Sequence, residues 1–331
     1  MIHWLMGFAL LTVKLVLVLV GLLLGAAYLV LAERKLLARL QIRRGPNRAG
    51  WAGLLQPVAD LVKMLTKEDN LPDGADQTVF RYAPAVVAGT AMLIFVVVPF
   101  GDRIIVWGEP VPLLISDINI GLLMVLALSS LGVYGVALGG WASNSKYSLL
   151  GAIRGAAQMV SYELSLGLAL VPIIMLARSF SLVDIVAAQA ERPFILVQPV
   201  SFLVFFISAM AEIKRIPFDL PEAENELIAG YHTEYSGLRF GLFFLGEYVT
   251  LMVLGALVAV LFLGGWHGPM RPSPLWFVAK VAGVAVVMIW IRGTLPRLRY
   301  DQLMQLGWKF LIPLALLNIL ATGAVLLRWG V

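Results

Sequence analysis

Along the chain, apolar residues run in long, nearly unbroken blocks with short polar stretches between them. Eight blocks, approximately residues 4–32, 83–100, 118–140, 153–177, 195–212, 239–263, 275–292 and 308–328, predict membrane-spanning helices. Bilayer hydrocarbon is about 30 Å thick, and a helix needs roughly 20 mostly apolar residues to cross it. The first block reads as a retained helix: it is long, lacks a basic leader and runs into Ala32-Glu33-Arg34-Lys35 rather than a cleavage site. One stretch has a different rhythm. Trp51, Leu54, Leu55, Val58, Leu61, Val62 and Leu65 recur at helical spacing, while Gln56, Asp60, Lys63 and Lys67 take the opposite face. This predicts an amphipathic helix over 51–67 lying along the membrane surface, with Pro57 placed to bend it. The same pattern would also suit a helix packed on the protein's own loops.

Of the 331 residues, 60% are hydrophobic and 14% charged, against about 25% charged in soluble domains. Too few polar side chains remain to cover a soluble globule, which excludes a soluble enzyme. The expected fold is an all-α integral membrane protein, a single polytopic domain over 1–331 with eight transmembrane helices and a cytoplasmic-side interfacial helix. No internal repeat or linker divides it. Eighteen of the 25 Lys and Arg side chains flank the connections from odd to even helices. The positive-inside rule then places those connections in the cytoplasm and both termini on the outer, periplasmic side. Trp4, Trp107, Trp266, Trp276 and Trp329 would mark outer ends, and Trp141, Trp290 and Trp308 inner ones.

The chain has no cysteine, which removes thiolate-held iron–sulfur clusters, Cys-zinc sites and thiol nucleophiles. His3, His232 and His267 are too scattered for a bis-histidine haem, and no spacing suggests a metal site. Walker, Rossmann and HExxH motifs are missing. Basic residues are tied to membrane edges, so no nucleic-acid partner is expected.

Ionisable residues inside spans are costly, roughly 2.5–3.5 kcal/mol each at the bilayer centre on insertion scales, and so point to function. Glu163 lies near mid-membrane, Glu247 lies within the sixth span, Glu212 closes the fifth and Glu33 closes the first. On neighbouring helices these four would form a line leading inward; singly, each reads as a paired structural carboxylate. Lys14 reads as structural, within reach of snorkelling. The loop 213–237 is the densest site. From Lys214 to Tyr235 it holds five acids (Asp219, Glu222, Glu224, Glu226 and Glu234) and two bases, interleaved with Ile216, Phe218, Leu220, Leu227, Ile228 and Tyr231. That interleaving suggests burial, and a buried acidic cluster can store or exchange protons. Helical spacing would put Glu222 and Glu226 on one face with Glu224 elsewhere. His232 reads as a polar packing residue.

These segments closely resemble the H-type membrane subunits (subunit 1 in mitochondria) of respiratory complex I, the proton-pumping NADH:quinone oxidoreductase. The matching strings include Ala32-Glu-Arg-Lys35, Gln41-Ile-Arg-Arg-Gly-Pro-Asn47, Gly53-Leu-Leu-Gln-Pro-Val-Ala-Asp60, Gln158-Met-Val-Ser-Tyr-Glu163, Ile216-Pro-Phe-Asp-Leu-Pro-Glu-Ala-Glu224, Gly246-Glu-Tyr248, Trp290-Ile-Arg292 and Pro296-Arg-Leu-Arg-Tyr-Asp-Gln302. They run in family order over nearly the whole chain. Ile213-Lys214 departs from the pattern and sets an extra cation beside Glu212.

The resemblance implies a non-redox subunit that is not catalytic alone and contains no catalytic residue, metal or cofactor of its own. It implies that Glu33, Arg34, Asp60, Phe218, Arg292 and Arg297 border the membrane end of a quinone chamber. It also implies that Glu163, Glu212, Asp219, Glu222, Glu224, Glu226, Glu234 and Glu247 couple quinone reduction to proton pumping. Quinone would be the substrate, with NADH, FMN and iron–sulfur clusters in partner subunits. The implied partners are the hydrophilic quinone-site and iron–sulfur subunits, the small membrane subunits of the pump arm and the lipid bilayer. The implied location is the bacterial plasma (inner) membrane. A homologous component of a membrane-bound hydrogenase or ferredoxin-linked complex, or a stand-alone ion transporter, are the alternatives.

Overall fold

The apolar blocks fold as helices, since a helix satisfies its own backbone polar groups in an apolar setting. The computed structural model describes residues 2–106, 109–222 and 224–329. The chain opens with α1 (Ile2–Leu40), a 3-10 turn at Trp51–Gly53, α2 (Gln56–Thr66) and α3 (Gln77–Ile94). A two-stranded hairpin follows, β1 (Arg103–Val106) and β2 (Glu109–Pro112), then α4 (Gly121–Ala142) and α5 (Lys146–Ala177). Short helices α6 (Leu182–Ala187) and α7 (Phe194–Val197) lead into α8 (Pro199–Glu212), and α9 (Glu224–Leu227) lies in the acidic loop. The chain continues through α10 (Gly237–Phe262), α11 (Pro274–Thr294) and α12 (Tyr300–Gln305), which a π-helical stretch, Leu306–Leu311, joins to α13 (Ile312–Trp329).

Among the described residues six segments are long and apolar enough to cross a membrane: Gly7–Leu40, Gly121–Ala142, Lys146–Ala177, Gly237–Phe262, Pro274–Thr294 and Tyr300–Arg328. The other two expected spans are shorter or more polar. In α3, Gln77 and Arg81 occupy the first turns, and the helix stops at Ile94 instead of near residue 100. Pro99 follows closely, and a proline disfavours helix both at itself and at the residue before it. α8 has 14 residues, about 21 Å at 1.5 Å per residue. It begins only at Pro199, after Gln198 leaves the helical region (φ −128°, ψ 58°).

α10 is the central helix. From Val253 to Phe262 every side chain is buried, as expected of a helix with no polar stripe. α3, α11 and α1 pack around it; α4 bridges α3 to α5, and α5 carries α8 and α13. The outer faces of α1, α11 and α13 leave Leu, Val and Trp side chains exposed.

The structure corrects three sequence expectations. The fold is not wholly helical: β1 and β2 pair antiparallel, Arg103 opposite Pro112 and Ile104 opposite Val111. Pro57 does not bend a helix; it sits in the first turn of α2, where its missing N–H costs nothing. The predicted 51–67 helix is divided by the 3-10 turn, and α2 buries none of its residues. Trp51, Val58, Leu61, Val62 and Leu65 are all exposed, so packing on the protein's own loops is ruled out.

Candidate functional site

The basic end of the bundle holds a buried ion network. Arg215, just past the end of α8, is 5% exposed and stands between two carboxylates. Its Nη1 donates to Glu33 Oε2 at 2.5 Å, its Nε donates to Glu247, and its guanidinium stacks 4.1 Å from the Tyr248 ring centre. Arg292, from α11, donates to the other oxygen of Glu33. Four helices thus meet through two acids and two arginines. Charges this deep survive only when paired and hydrogen-bonded. Glu33 does not use its sequence neighbours Arg34 and Lys35. Arg34 instead donates to Asp60 Oδ2 at 2.7 Å and Lys35 to the Ala52 carbonyl at 2.5 Å, which ties α2 and its approach to the end of α1.

Beyond Glu247 a cavity of about 50 Å³ is lined by Glu212, Lys214, Glu247, Ser129 and Thr250 among apolar side chains. It is roomy enough for water, which needs about 10–15 Å³ per molecule. Ser129 and Ser130, adjacent on α4, face the next two acids. Ser129 lines the cavity beside Glu212, and Ser130 donates to Glu163 near the middle of α5. The acids of α1, α10, α8 and α5 therefore line up in the order Glu33, Glu247, Glu212 and Glu163, with Arg215, Lys214 and the two serines between them.

The loop 213–237 is folded against this line. Gln158 of α5 donates to both the Ala211 and Phe218 carbonyls, at 2.7 and 2.8 Å. Phe218 packs on Tyr162, whose hydroxyl donates to the Leu303 carbonyl. Two glycines permit the close approach. A Cβ on Gly151 would stand 2.7 Å from the Pro221 carbonyl oxygen; one on Gly230, at φ +59°, would stand 1.7 Å from it.

Inside the fold the loop's charges separate. α9 is a single turn beginning at Glu224, so Glu222 and Glu226 do not share a helical face. Glu222 turns inward to His232, 3.9 Å away, and burial, then Glu247 and Asp219, push its carboxyl well above the usual range. Burial pulls the Lys214 ammonium below its own, against the pull of Glu247, Glu222 and Glu212. Lys214 is held there by a left-handed backbone (φ +61°), with its Nζ 5.3 Å from the Tyr231 ring centre. Proton uptake by Glu222 and release by Lys214 are thereby both favoured. His232 is pushed down to about 4 by burial and is neutral at pH 7. Glu226 faces outward to Arg154 at 2.6 Å and Arg297 at 3.8 Å. Asp219 lies close enough to Glu222 to raise its proton affinity. Glu234 is half-buried and joins no ion pair among the described residues. The side chain of Glu224 lies outside the described residues. No group of three or more metal-ligating side chains occurs among the described residues.

The sequence-predicted residues thus divide. Glu33, Glu163, Glu212, Glu222, Glu247 and Arg292 converge; Arg34 and Asp60 form a separate pair; Glu226 and Arg297 hold the loop's outer edge. Sequence reasoning missed Arg215, the centre of the network. Its signal was a guanidinium among Ile213, Ile216 and Phe218, where a solvated charge would be out of place.

A family model described as NADH dehydrogenase matches residues 13–323. The second NADH-quinone oxidoreductase H subunit of Syntrophobacter fumaroxidans is 71% identical over 330 residues, covering 100% of both chains. The chain belongs to the NADH-quinone oxidoreductase H-subunit family. The H subunit of Syntrophotalea carbinolica is 60% identical over 98% of this chain and 100% of that one. The first H subunit of Geobacter metallireducens is 64% identical over 91% and 92%. In this member of the H-subunit family, then, Glu33, Glu247, Glu212 and Glu163 lie on one interior path.

Proposed function

We propose that this chain is the complex I membrane subunit that closes the bilayer end of the quinone chamber and couples quinone reduction to proton translocation. The carrying observation is the interior line from Glu33 through Arg215, Glu247 and Glu212 to Glu163. On this reading α3 and α8 complete a set of eight spans, both termini lie outside, and α2 lies in the membrane interface. The fully exposed apolar face of α2 supports that placement, and beside the end of α1 it gives an isoprenoid tail an apolar route inward. The relatives' names, all H subunits of NADH-quinone oxidoreductase, favour a quinone partner over a hydrogenase-linked one.

The chemistry assigned to this chain is electrostatic. Partner subunits carry NADH, FMN and iron–sulfur clusters and deliver electrons. Reducing a quinone places negative charge on its oxygens and creates a demand for protons. Glu222 and Lys214, displaced toward their neutral forms, respond to such a charge by exchanging protons, and the loop's attachment to α5 carries the change toward Glu163. Coupling along that line is measured by double variants of its members.

The test is Glu163→Gln, Glu222→Gln and Arg292→Met in the assembled complex, with assembly checked first. Quinone reductase activity and proton translocation are then measured separately. Large losses in one or both are expected; near-normal values for all three would overturn the proposal.

A further inference from the structure

Away from the ion network, at the end of the bundle that carries the hairpin, α1, α10 and α11 enclose a second cavity of about 430 Å³. We propose that it binds one anionic phospholipid, whose phosphate sits on Lys14 and one of whose acyl chains fills the space beneath. This site is independent of the quinone reading above, since it uses none of those residues.

The α1 wall consists of Lys14, Leu17, Val18, Gly21, Leu22 and Gly25, a spacing that places them on one helical face. Among the described residues Lys14 is the one charged member of the lining, which otherwise comes from apolar residues of α1, α10, α11 and the segment around the hairpin. Depth agrees with this order. Lys14 and Arg34 are twenty residues apart on a continuous helix, about 30 Å, or one hydrocarbon thickness. With Arg34 paired to Asp60 at the basic end, Lys14 lies in the outer half of the first apolar block, within snorkelling reach of the opposite headgroups, and the cavity runs from it toward Gly25. Gly21 borders the open space: a Cβ there would meet nothing within 4 Å, so a larger side chain could extend into the cavity.

The ammonium is also underused. Lysine offers three N–H donors. Lys280, at the same end, places its own on the carbonyls of Leu263, Gly265 and His267 at 2.5, 2.8 and 2.5 Å. Lys14 reaches only the Leu114 carbonyl, at 3.2 Å, and pairs with no carboxylate among the described residues. A cation within snorkelling reach of the headgroups, above an apolar slot, matches the phosphate-over-chain layout of a phospholipid. The volume lies within the range of about 300–1,000 Å³ typical of pockets that bury a small ligand. A partner's apolar transmembrane helix laid against the slot would set apolar surface against the ammonium.

The test uses the assembled complex in phosphatidylcholine nanodiscs doped with phosphatidylglycerol bearing a photoreactive acyl chain. Cross-links are mapped to peptides. Labelling is expected on residues 14–25, 252–256 and 277–281, with unlabelled phosphatidylglycerol competing about five-fold better than phosphatidylcholine, the size of one lysine contact to an anionic headgroup. Gly21→Leu should abolish labelling at these peptides and leave labelling elsewhere unchanged. Lys14→Gln, which keeps the cavity, should retain labelling but erase the headgroup preference. The proposal is overturned by unlabelled peptides in the unaltered complex, by labelling that survives Gly21→Leu, or by a preference that survives Lys14→Gln. Displacement of the probe by a short-chain quinone, marking a quinone-tail site, would overturn it too.

Discussion

Removing Arg215 should do more damage than removing either acid it holds. Its guanidinium is 5% exposed and binds Glu33 and Glu247, themselves 4% and 10% exposed. Arg215→Met leaves Glu33 with Arg292 alone and Glu247 with no salt-bridge partner among the described residues. Breaking a buried pair from one side costs about 3–5 kcal/mol, because the remaining charge is buried without compensation. Replacing both members of the Arg215–Glu247 pair leaves no orphan, so Arg215→Met/Glu247→Gln should recover much of that loss. Arg215→Lys should fall between them, since one ammonium cannot reproduce a planar fork that grips two carboxylates. The assay is the amount of assembled complex in membranes on native gels, together with thermal inactivation of the solubilised complex, for the two single variants and the double. The coupling between the two residues, read as the departure from additivity, should exceed about 0.5–3 kcal/mol only if further members of the network take part. If the double variant is as unstable as the sum of the singles, Arg215 and Glu247 are not coupled and the network described above is wrong.

Other outcomes follow from single residues. Gly230→Ala, which drives a Cβ to 1.7 Å from the Pro221 carbonyl oxygen at a positive φ, should keep the protein from accumulating, as an immunoblot of membranes would show; normal levels would contradict the packing. Lys214→Met removes the ammonium that favours the ionised form of Glu222, so the pH profile of quinone reduction should move to higher pH, with Lys214→Arg close to the parent; an unmoved profile would refute it. His232 is held neutral down to about pH 4 in the fold and has an ordinary value near 6.5 when unfolded. The unfolded chain therefore binds the extra proton between these values, and stability falls as pH drops from 6.5 toward 4, by up to about 3 kcal/mol. His232→Asn should flatten that part of the pH dependence of thermal inactivation; an unchanged slope would show that other groups cause it.

The long apolar helices were legible because a span is a composition before it is a structure: α10 and α4 announce themselves by length alone. The breaks were harder. Nothing in residues 195–212 distinguishes a full span from the 14 residues of α8 except Gln198-Pro199, where a proline can equally start a helix or sit inside one. The hairpin was hidden for a different reason. Arg103–Val106 and Glu109–Pro112 do carry strand-forming residues, but in a short connection between spans that signal is outweighed by the expectation of a loop. At the site, acid positions were legible because a carboxylate among apolar residues is conspicuous. Their partners were not. Glu33 stands beside Arg34 and Lys35 in sequence, yet residues one and two apart on a helix do not share a face, and its cations come from positions 215 and 292. Long-range pairing of that kind leaves no trace in a single sequence. Nor did spacing foresee that Glu222 would point inward and Glu226 outward, because the helix assumed to align them is one turn long.

The Gln158 amide has a mechanical implication. By gripping the backbone on both sides of the turn after α8, it makes the acidic loop a rider on α5, and Glu163 sits five residues further along the same shaft, about 7.5 Å away. The loop cannot shift on its own without giving up two hydrogen bonds, each worth about 1 kcal/mol net. Acidic loop and helix are thereby tied at Gln158, about one and a half turns from the carboxylate of Glu163.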